Sequence, residues 1–558
     1  MQFRPSLLAE LDQREEFPAA ACRVLDEFGL NGYYVPVRSG GRLADFTDLM
    51  QLIRTVARRD LTVAIGHGKT FLGAASAWVA AEHEQVDRLG ELIVNGGIVS
   101  WGLTERGHGS DLLGGELTAT AVGDDWRLDG EKWLINNATR SDAVCVLART
   151  DPAGGPRGFS LFLVEKRLLA EGSWSSLPKV PTHGIRGADI SGIVFDGAQV
   201  PGTALVGRVG DGIETVLKAL QLTRTVCVSL SLGAADTASV IALDYARERS
   251  LYGRRLIELP RIRRILGRMN AARLVAEATG LMAVRSIHTL PGEMSVTSAV
   301  AKALVPELAQ RVIDRAAELL GVRGFLTDNH ADGRFAKLER DHRVVAIFDG
   351  NTAVNRNGLI DQFPLLAAGY RRGAADLAGV RCAAELGAAV PEFDPHRLAL
   401  LTPRGCSLVQ SLPGAVVRIR AQAAEGLLPE RVAELAELIK EHADALHREL
   451  EGRQRSAQTV PSAAFVRAER YELCYAAAAC LQLWLANPSL QEAPSGARSA
   501  WRDGLWLQAC LAAIATGLGR SLGEDDEAVC DRLTDHALIE GLPTLLPTFQ
   551  DDVARSAS

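Results

Sequence analysis

Between Gly96 and about Val206 the hydrophobic pattern of this chain changes its period, and that change constrains the order of its parts. Before Gly96, apolar residues recur at three- and four-residue spacing: Leu7, Leu8 and Leu11, then Ala21, Val24, Leu25 and Phe28. That spacing lines one face of a helix. Asn31-Gly32 is expected to end the first pair of helices. Two more are expected over 46–58 and 70–81, with Gly66-His67-Gly68 breaking the run between them. His67, a lone histidine near a helix start, reads as structural. After Gly96 the period shortens to two. Segments 98–103, 116–122, 126–128, 132–136, 143–148, 160–164 and 193–195 read as short strands, with a turn at Asp124-Asp125 and a hairpin signal at Asp129-Gly130. Short strands separated by turn residues predict a compact β-barrel or sandwich. From about Gly210 the helical period returns in long stretches over 211–246, 259–287 and 295–320. Long helices joined by short loops predict an antiparallel bundle.

The expected architecture is therefore mostly α with a central β-barrel. Its parts are a helical domain over 1–96, the barrel over 97–206, a helical bundle over 207–368 and a helical extension over 369–558. A linker is expected over 371–376, and helices over 431–450, 465–486 and 500–519, punctuated by Pro413-Gly414, Pro461 and Pro488. The apolar stretches 475–486 and 505–518 are most simply core, with a membrane-facing helix as the alternative.

Charge and cysteine usage narrow the function classes. A net charge of −7 argues against a nucleic-acid partner that needs a basic face. The nine cysteines are scattered and none forms a Cys-x-x-Cys pair, so neither a zinc site nor a disulfide framework is expected. The N-terminal stretch has no apolar core of a secretory signal and no run of eighteen apolar residues occurs, so a reducing, cytoplasmic setting is expected.

The stretch Val345-Ala-Ile-Phe-Asp-Gly-Asn-Thr-Ala-Val-Asn-Arg356 places one carboxylate, Asp349, between an apolar run and a glycine. The run over 344–348 is expected to be buried, which makes Asp349 a candidate general base. Taken alone, the same pattern also fits a helix end, with Asp349 and Asn351 as turn residues.

Several motifs in one register carry a resemblance. They are Gly102-Leu-Thr-Glu-Arg-Gly-His-Gly-Ser-Asp111, Leu128-Asp-Gly-Glu-Lys-Trp-Leu-Ile-Asn-Asn137, Gly184-Ile-Arg-Gly187, Tyr245-Ala-Arg-Glu-Arg-Ser-Leu-Tyr-Gly253 and Phe348-Asp-Gly-Asn-Thr352. Together, over residues 1–366, they resemble the acyl-CoA dehydrogenase family. The resemblance implies FAD, an acyl thioester on CoA or on a carrier protein, and an electron-transfer flavoprotein or oxygen as electron acceptor. It also implies a homodimer or homotetramer. Trp101, Thr104, Gly109 and Ser110 match positions at the flavin ring and phosphates, and Leu134 and Asn136 stand where the family covers and contacts the ring. Arg249 and Tyr252 match positions that reach a neighbouring subunit's FAD, Gly321 and Gly324 match a turn at the adenine half, and Asn351 lies in the catalytic loop.

Asp349 stands where the family carries its base, normally glutamate, and Arg224 matches the arginine beside that base. An alternative base position one residue before the arginine is Thr223 here. Aspartate is one methylene shorter than glutamate, a retreat of about 1.5 Å. The expected reaction is α,β-dehydrogenation of the thioester by α-proton abstraction and β-hydride transfer. The alternatives are an oxidase or monooxygenase on the same fold, or a degenerate binding subunit.

Overall fold

Residues 3–328, 330–451, 460–492, 499–521 and 523–546 are described in a computed structural model, in which the chain divides into two units. The first holds residues 1–56, 60–223 and 394–400; the second holds 57–59, 224–393 and 401–558.

In the first unit, helix Ala19–Phe28 stops at Gly29, whose φ of +81° supplies the left-handed turn ahead of Asn31-Gly32. Helix Leu61–Ala80 runs unbroken through Gly66-His67-Gly68, against expectation. The glycines serve packing there. A Cβ at Gly66 would lie 3.0 Å from Phe17 and one at Gly68 3.3 Å from Ile53. His67 is structural: its ring meets the Tyr34 hydroxyl at 2.7 Å and the Asp26 carboxylate at 3.1 Å.

The strands are β1 (Val99–Gly102), β2 (Thr118–Val122), β3 (Asp125–Asn136), β4 (Ala143–Arg149), β5 (Phe159–Glu165), β6 (Trp174–Leu177), β7 (Ile190–Val200) and β8 (Leu205–Val206). They order as β6-β7-β3-β2-β4-β5-β8, with β1 parallel to β4. The path begins at β6 and ends at β8, and no pairing joins those ends among the described residues. The result is a mixed sheet in which no closed barrel is found, where the strand pattern predicts a barrel or sandwich. One face is filled by Leu128, Val144, Val146, Phe162, Ile193, Phe195 and Val200. Helix Leu61–Ala80 packs on β1 and β4, where Gly73 lies against the Val99 carbonyl.

Asp129-Gly130 is not a hairpin. The turn is Gly123-Asp124, because Val122 pairs with Asp125, and β3 continues through Asp129-Gly130 with a register shift. Gly130 has φ +132°, and a Cβ there would sit 2.8 Å from Leu117 Cα. The Asp129 carboxylate accepts the Gly197 N–H at 2.8 Å. The dipeptide thus supplies a bulge and a tie to β7. The segment Gly184–Gly187 docks the first helix, Pro5–Gln13, through an Arg186–Asp12 pair at 3.2 Å.

In the second unit, helices Val228–Glu248, Pro260–Thr289 and Met294–Leu320 pack side by side. The long helix expected over 211–246 runs from Gly212 to Glu248 and is interrupted only at Cys227, between Gly212–Val226 and Val228–Glu248. Helices Ser462–Ala486, Leu505–Gly517 and Glu524–Ile539 pack on Pro260–Thr289. The last of these lacks a strong apolar stripe but carries Glu524, Asp525, Asp526 and Glu527 in its first turn, where acidic side chains favour a helix. Pro413 lies in the first turn of helix Leu412–Ala424 and so starts an element instead of stopping one. The rings of Trp484, Trp501 and Trp506 are fully buried together, with centroids 6.2 Å apart for Trp484–Trp501 and 4.9 Å for Trp501–Trp506. The apolar stretches of the extension are therefore core.

Gly267 lets helices Pro260–Thr289 and Glu524–Ile539 touch at backbone distance, since a Cβ there would press on the Cys530 carbonyl. Gly267→Ala should cost about 1–3 kcal/mol by overpacking. Hydrogen exchange should then quicken in 524–539 before the rest of the unit; unchanged protection of that helix would refute the contact's importance.

Candidate functional site

In the first unit, four of the candidate residues follow from how β1 and β3 lie together. Trp101 on β1 is buried, and its indole Nε1 has no hydrogen-bond partner. Asn136 at the end of β3 is also buried, with Oδ1 unpartnered. The two strands are tied by the Ser100 hydroxyl donating to the Asn136 carbonyl at 2.9 Å. Thr104 pairs with Trp133 twice: its hydroxyl donates to the Trp133 carbonyl at 2.7 Å, and its own carbonyl accepts the Trp133 N–H at 3.0 Å. Leu134 sits at a register shift of β3 with φ +59° and is 45% exposed, so a leucine is turned outward from a strand. A leucine in the left-handed region is a conformational outlier of the kind that clusters at functional sites.

The loop after β1 carries Gly109 and Ser110, both exposed. Added Cβ atoms at Gly107 and Gly109 would meet nothing within 4 Å, so the loop has room for a ligand to approach its backbone. A buried ion pair fixes its base. Lys132 Nζ donates to Glu105 Oε1 at 2.7 Å and to the Leu103 carbonyl at 3.1 Å, while the Glu105 carboxylate also accepts the N–H groups of Glu116 and Leu117. Burial alone would raise the Glu105 pKa, but Lys132 and these N–H groups hold it below its ordinary value. An unpaired indole N–H, an unpaired amide oxygen and an open glycine loop suit a flat heterocycle with polar edges that carries phosphate.

In the second unit, Asp349 lies on a loop between the turn Arg343–Ala346 and helix Thr352–Asp361. Asp349 has φ +55° and Gly350 φ +89°, two left-handed residues in succession. Arg224 Nε donates to the Asp349 carbonyl at 2.9 Å. A Cβ at Gly350 would lie 2.8 Å from Arg224 Nη2, so only glycine leaves the guanidinium its place. Burial pulls Arg224 down to about 10 while the Asp349 charge opposes it, so the group stays cationic at neutral pH. Cys227, at the break between the two helices, donates its thiol to Asp349 Oδ2 at 3.6 Å.

Lys302, fully buried on helix Met294–Leu320, donates to the Val345 carbonyl at 2.7 Å and the Gly350 carbonyl at 3.2 Å. Asn355 Nδ2 donates to the Gly350 and Asn351 carbonyls at 2.8 and 3.0 Å. Asn351 caps the helix, its Oδ1 accepting the Val354 N–H at 2.9 Å. The apolar run is only partly buried: Val345 is inside, but Ile347 is 63% exposed.

The remaining candidates lie apart from Asp349. Arg249 ends helix Val228–Glu248 and opens the two-stranded ribbon of Ser250–Leu251 and Arg254–Arg255. Tyr252 stands at its tip with φ +52° and full exposure. Gly321 (φ +55°) and Gly324 follow helix Met294–Leu320, and Arg323 Nη1 joins that end to the Tyr245 hydroxyl at 3.1 Å. Lys302, Asn355 and Cys227 escape the sequence reading. Their only signal is a lone lysine in the apolar run 296–305 and an asparagine four residues past Asn351.

Comparison with known proteins gives the family and the fold. Family profiles described as the N-terminal, middle and C-terminal domains of acyl-CoA dehydrogenase match residues 4–96, 100–198 and 210–362. The probable acyl-CoA dehydrogenase fadE25 of Mycobacterium leprae is 30% identical over 353 residues, which is 62% of this chain and 88% of that protein. The fold of butyryl-CoA dehydrogenase from Megasphaera elsdenii is similar with a TM-score of 0.59 at 24% identity, covering 63% of this chain and 91% of that one. An acyl-CoA dehydrogenase from Bacillus anthracis, solved in complex with FAD, is similar with a TM-score of 0.66 at 18% identity, covering 98% of this chain and 91% of that one. That last fold likeness runs through the extension.

Gly350→Ala must displace Arg224 and hold alanine at φ +89°, so it should destabilise the second unit by about 1–3 kcal/mol in denaturant titration; an unchanged midpoint would refute the close contact. His342, buried between Ser231 Oγ at 3.0 Å and Gln310 Oε1 at 2.8 Å, is pushed from 6.5 down to about 3 by burial and then by Lys302. A depressed folded-state value stabilises above the unfolded value and loses that stability as pH falls from about 6.5 toward 3, by up to about 1.4 kcal/mol per pH unit. His342→Gln should therefore flatten the fall of the denaturation midpoint between pH 6.5 and 4; parallel curves for the two proteins would contradict the assignment.

Proposed function

Because the chain belongs to the acyl-CoA dehydrogenase family, we propose that it is an FAD-dependent oxidoreductase that introduces a double bond between the α and β carbons of an acyl thioester. Trp101, Thr104, Leu134 and Asn136 hold the flavin ring, and the open loop at Gly109 and Ser110 receives the phosphates. The outward-turned Leu134 and the open loop at Gly107 and Gly109 support this reading, because both leave room for a ring and its phosphates to approach. Arg249 and Tyr252 serve the flavin of a second copy, which makes the protein a homo-oligomer, and Gly321 and Gly324 meet the adenine half of FAD; the full exposure of Tyr252 supports its role. When bound, FAD supplies the acceptor for the hydride that leaves the β-carbon.

Asp349 is the base. Its carboxylate takes the α-proton as the Cα–H bond breaks, and the electron pair moves toward the thioester carbonyl. The backbone N–H of Asp349 polarises that carbonyl, where negative charge develops. Arg224 positions the backbone of Asp349, and Cys227 orients its carboxylate. The observation that carries the reading is the pinned loop. A carboxylate one methylene short of the family's usual glutamate depends on the placement of its backbone, since a misplacement near 1 Å can cost on the order of 10²-fold.

Purified protein should be yellow, and saturated acyl thioesters on CoA or a carrier protein should bleach it anaerobically. Asp349→Asn should keep the flavin and lose about 10²–10⁴-fold in turnover. Near-normal turnover by Asp349→Asn would remove Asp349 from the chemistry. Asp349→Glu should lower the rate, because the loop is set for the shorter side chain; a higher rate would show Asp349 to be only a poor substitute for glutamate.

A further inference from the structure

The helix that follows the Asp349 loop is held by a second group of charges. Arg356, on Thr352–Asp361, is 11% exposed at its side chain and meets three carboxylates. Its Nε and Nη2 contact Glu472 Oε1 and Oε2 at 2.8 and 2.9 Å, a bidentate pair. Its Nη1 donates to Glu469 Oε1 at 2.8 Å and its Nη2 also to Glu307 Oε2 at 2.6 Å. Glu469 and Glu472 lie one turn apart on helix Ser462–Ala486 of the C-terminal extension, and Glu472 is 1% exposed. Glu307 lies on Met294–Leu320, the helix that also carries Lys302. Glu307 is shared with Arg311 at 2.6 Å.

Arg356 is the neighbour of Asn355, which holds the Gly350 and Asn351 carbonyls. A shift of this short helix along or about its axis therefore moves the backbone of Gly350, and with it Asp349. Lys302 reaches the loop directly, and Arg356 fixes the helix from which the loop hangs. Two of the three carboxylates on Arg356 come from the extension, in which the sequence shows no catalytic motif.

We propose that Glu472 and Glu469 of the C-terminal extension are positioning residues for the dehydrogenation: through Arg356 they set the register of helix Thr352–Asp361 and so the reach of the Asp349 carboxylate. This inference rests on Asp349 being the base. An exposed ion pair would not carry such a role, because surface pairs give little. Here the guanidinium is largely buried and its fork is matched bidentately, which fixes direction as well as distance. The extension thereby acquires a part in catalysis without touching substrate.

The test uses the full-length, flavin-loaded protein and an acyl thioester that it turns over. Glu472→Gln keeps the shape and one acceptor but removes the charge and the bidentate match; Arg356→Lys keeps the charge but cannot span the carboxylates. Both should lower kcat by about tenfold or more. KM should stay within about threefold, flavin content should be unchanged, and amide exchange should quicken over 346–352. Glu469→Gln, at a half-exposed carboxylate, should show the same split more weakly and carries the test if Glu472→Gln fails to fold. If these variants load flavin and keep a normal kcat, or if KM rises with kcat unchanged, the positioning role is overturned. Asp349→Asn assayed alongside separates the two claims: residual wild-type turnover there overturns the base assignment and this inference with it, whereas an inactive Asp349→Asn beside a normal Glu472→Gln overturns this inference alone.

Discussion

The buried ammonium of Lys302 is the interaction on which the candidate site depends. A lysine with no exposed surface must be held by polar partners, because burying an uncompensated charge is expensive. Its donors go to the Val345 and Gly350 carbonyls, the two ends of the loop that carries Asp349. The Phe348 ring lies 5.4 Å from the same nitrogen, which adds a cation–π contact. The cation in turn helps keep His342 neutral, and neutral His342 bridges Ser231 and Gln310. Charge, loop and helix packing are thus one system.

Such an anchor is needed because the loop is strained. Two successive left-handed residues, one of them not glycine, cost on the order of 1–2 kcal/mol for the aspartate alone. The conformation persists because Arg224, Lys302, Asn355 and the Asn351 cap together hold backbone groups of Val345, Asp349, Gly350, Asn351 and Val354. What the strain obtains is direction: the carbonyl of Asp349 turns to Arg224, and its side chain turns to Cys227. On the other unit, Leu134 at φ +59° plays a comparable part, aiming an apolar side chain outward from a strand beside the unpaired atoms of Trp101 and Asn136.

Much of this was legible in the sequence because it is local. The change of hydrophobic period located the sheet and the long helices, and the bounds of Pro260–Thr289 and Met294–Leu320 fall within two residues of the pattern. The motifs put forward Asp349, Arg224, Thr104 and Asn136 as candidates. What was illegible depends on contacts between distant segments. Gly66 and Gly68 look like a helix break, yet they admit Phe17 and Ile53. Asp129-Gly130 looks like a hairpin, yet Leu117 and Gly197 claim it for a bulge. Arg356 was seen only as the end of a motif, since its partners Glu469 and Glu472 lie more than a hundred residues away. Strand count and alternation do not specify whether the first and last strands meet, and no closed barrel is found among the described residues.

The central claim is that the Asp349 carboxylate reaches the α-carbon of a bound thioester. Exchange of α-hydrogen for deuterium in D2O, followed by NMR on a saturated acyl thioester held with the anaerobic, flavin-loaded protein, reads that contact without requiring turnover. The account predicts α-exchange with wild-type protein and none above background with Asp349→Asn. Equal exchange in the two proteins, or desaturation by wild-type protein with Asp349→Asn equally active, would contradict it.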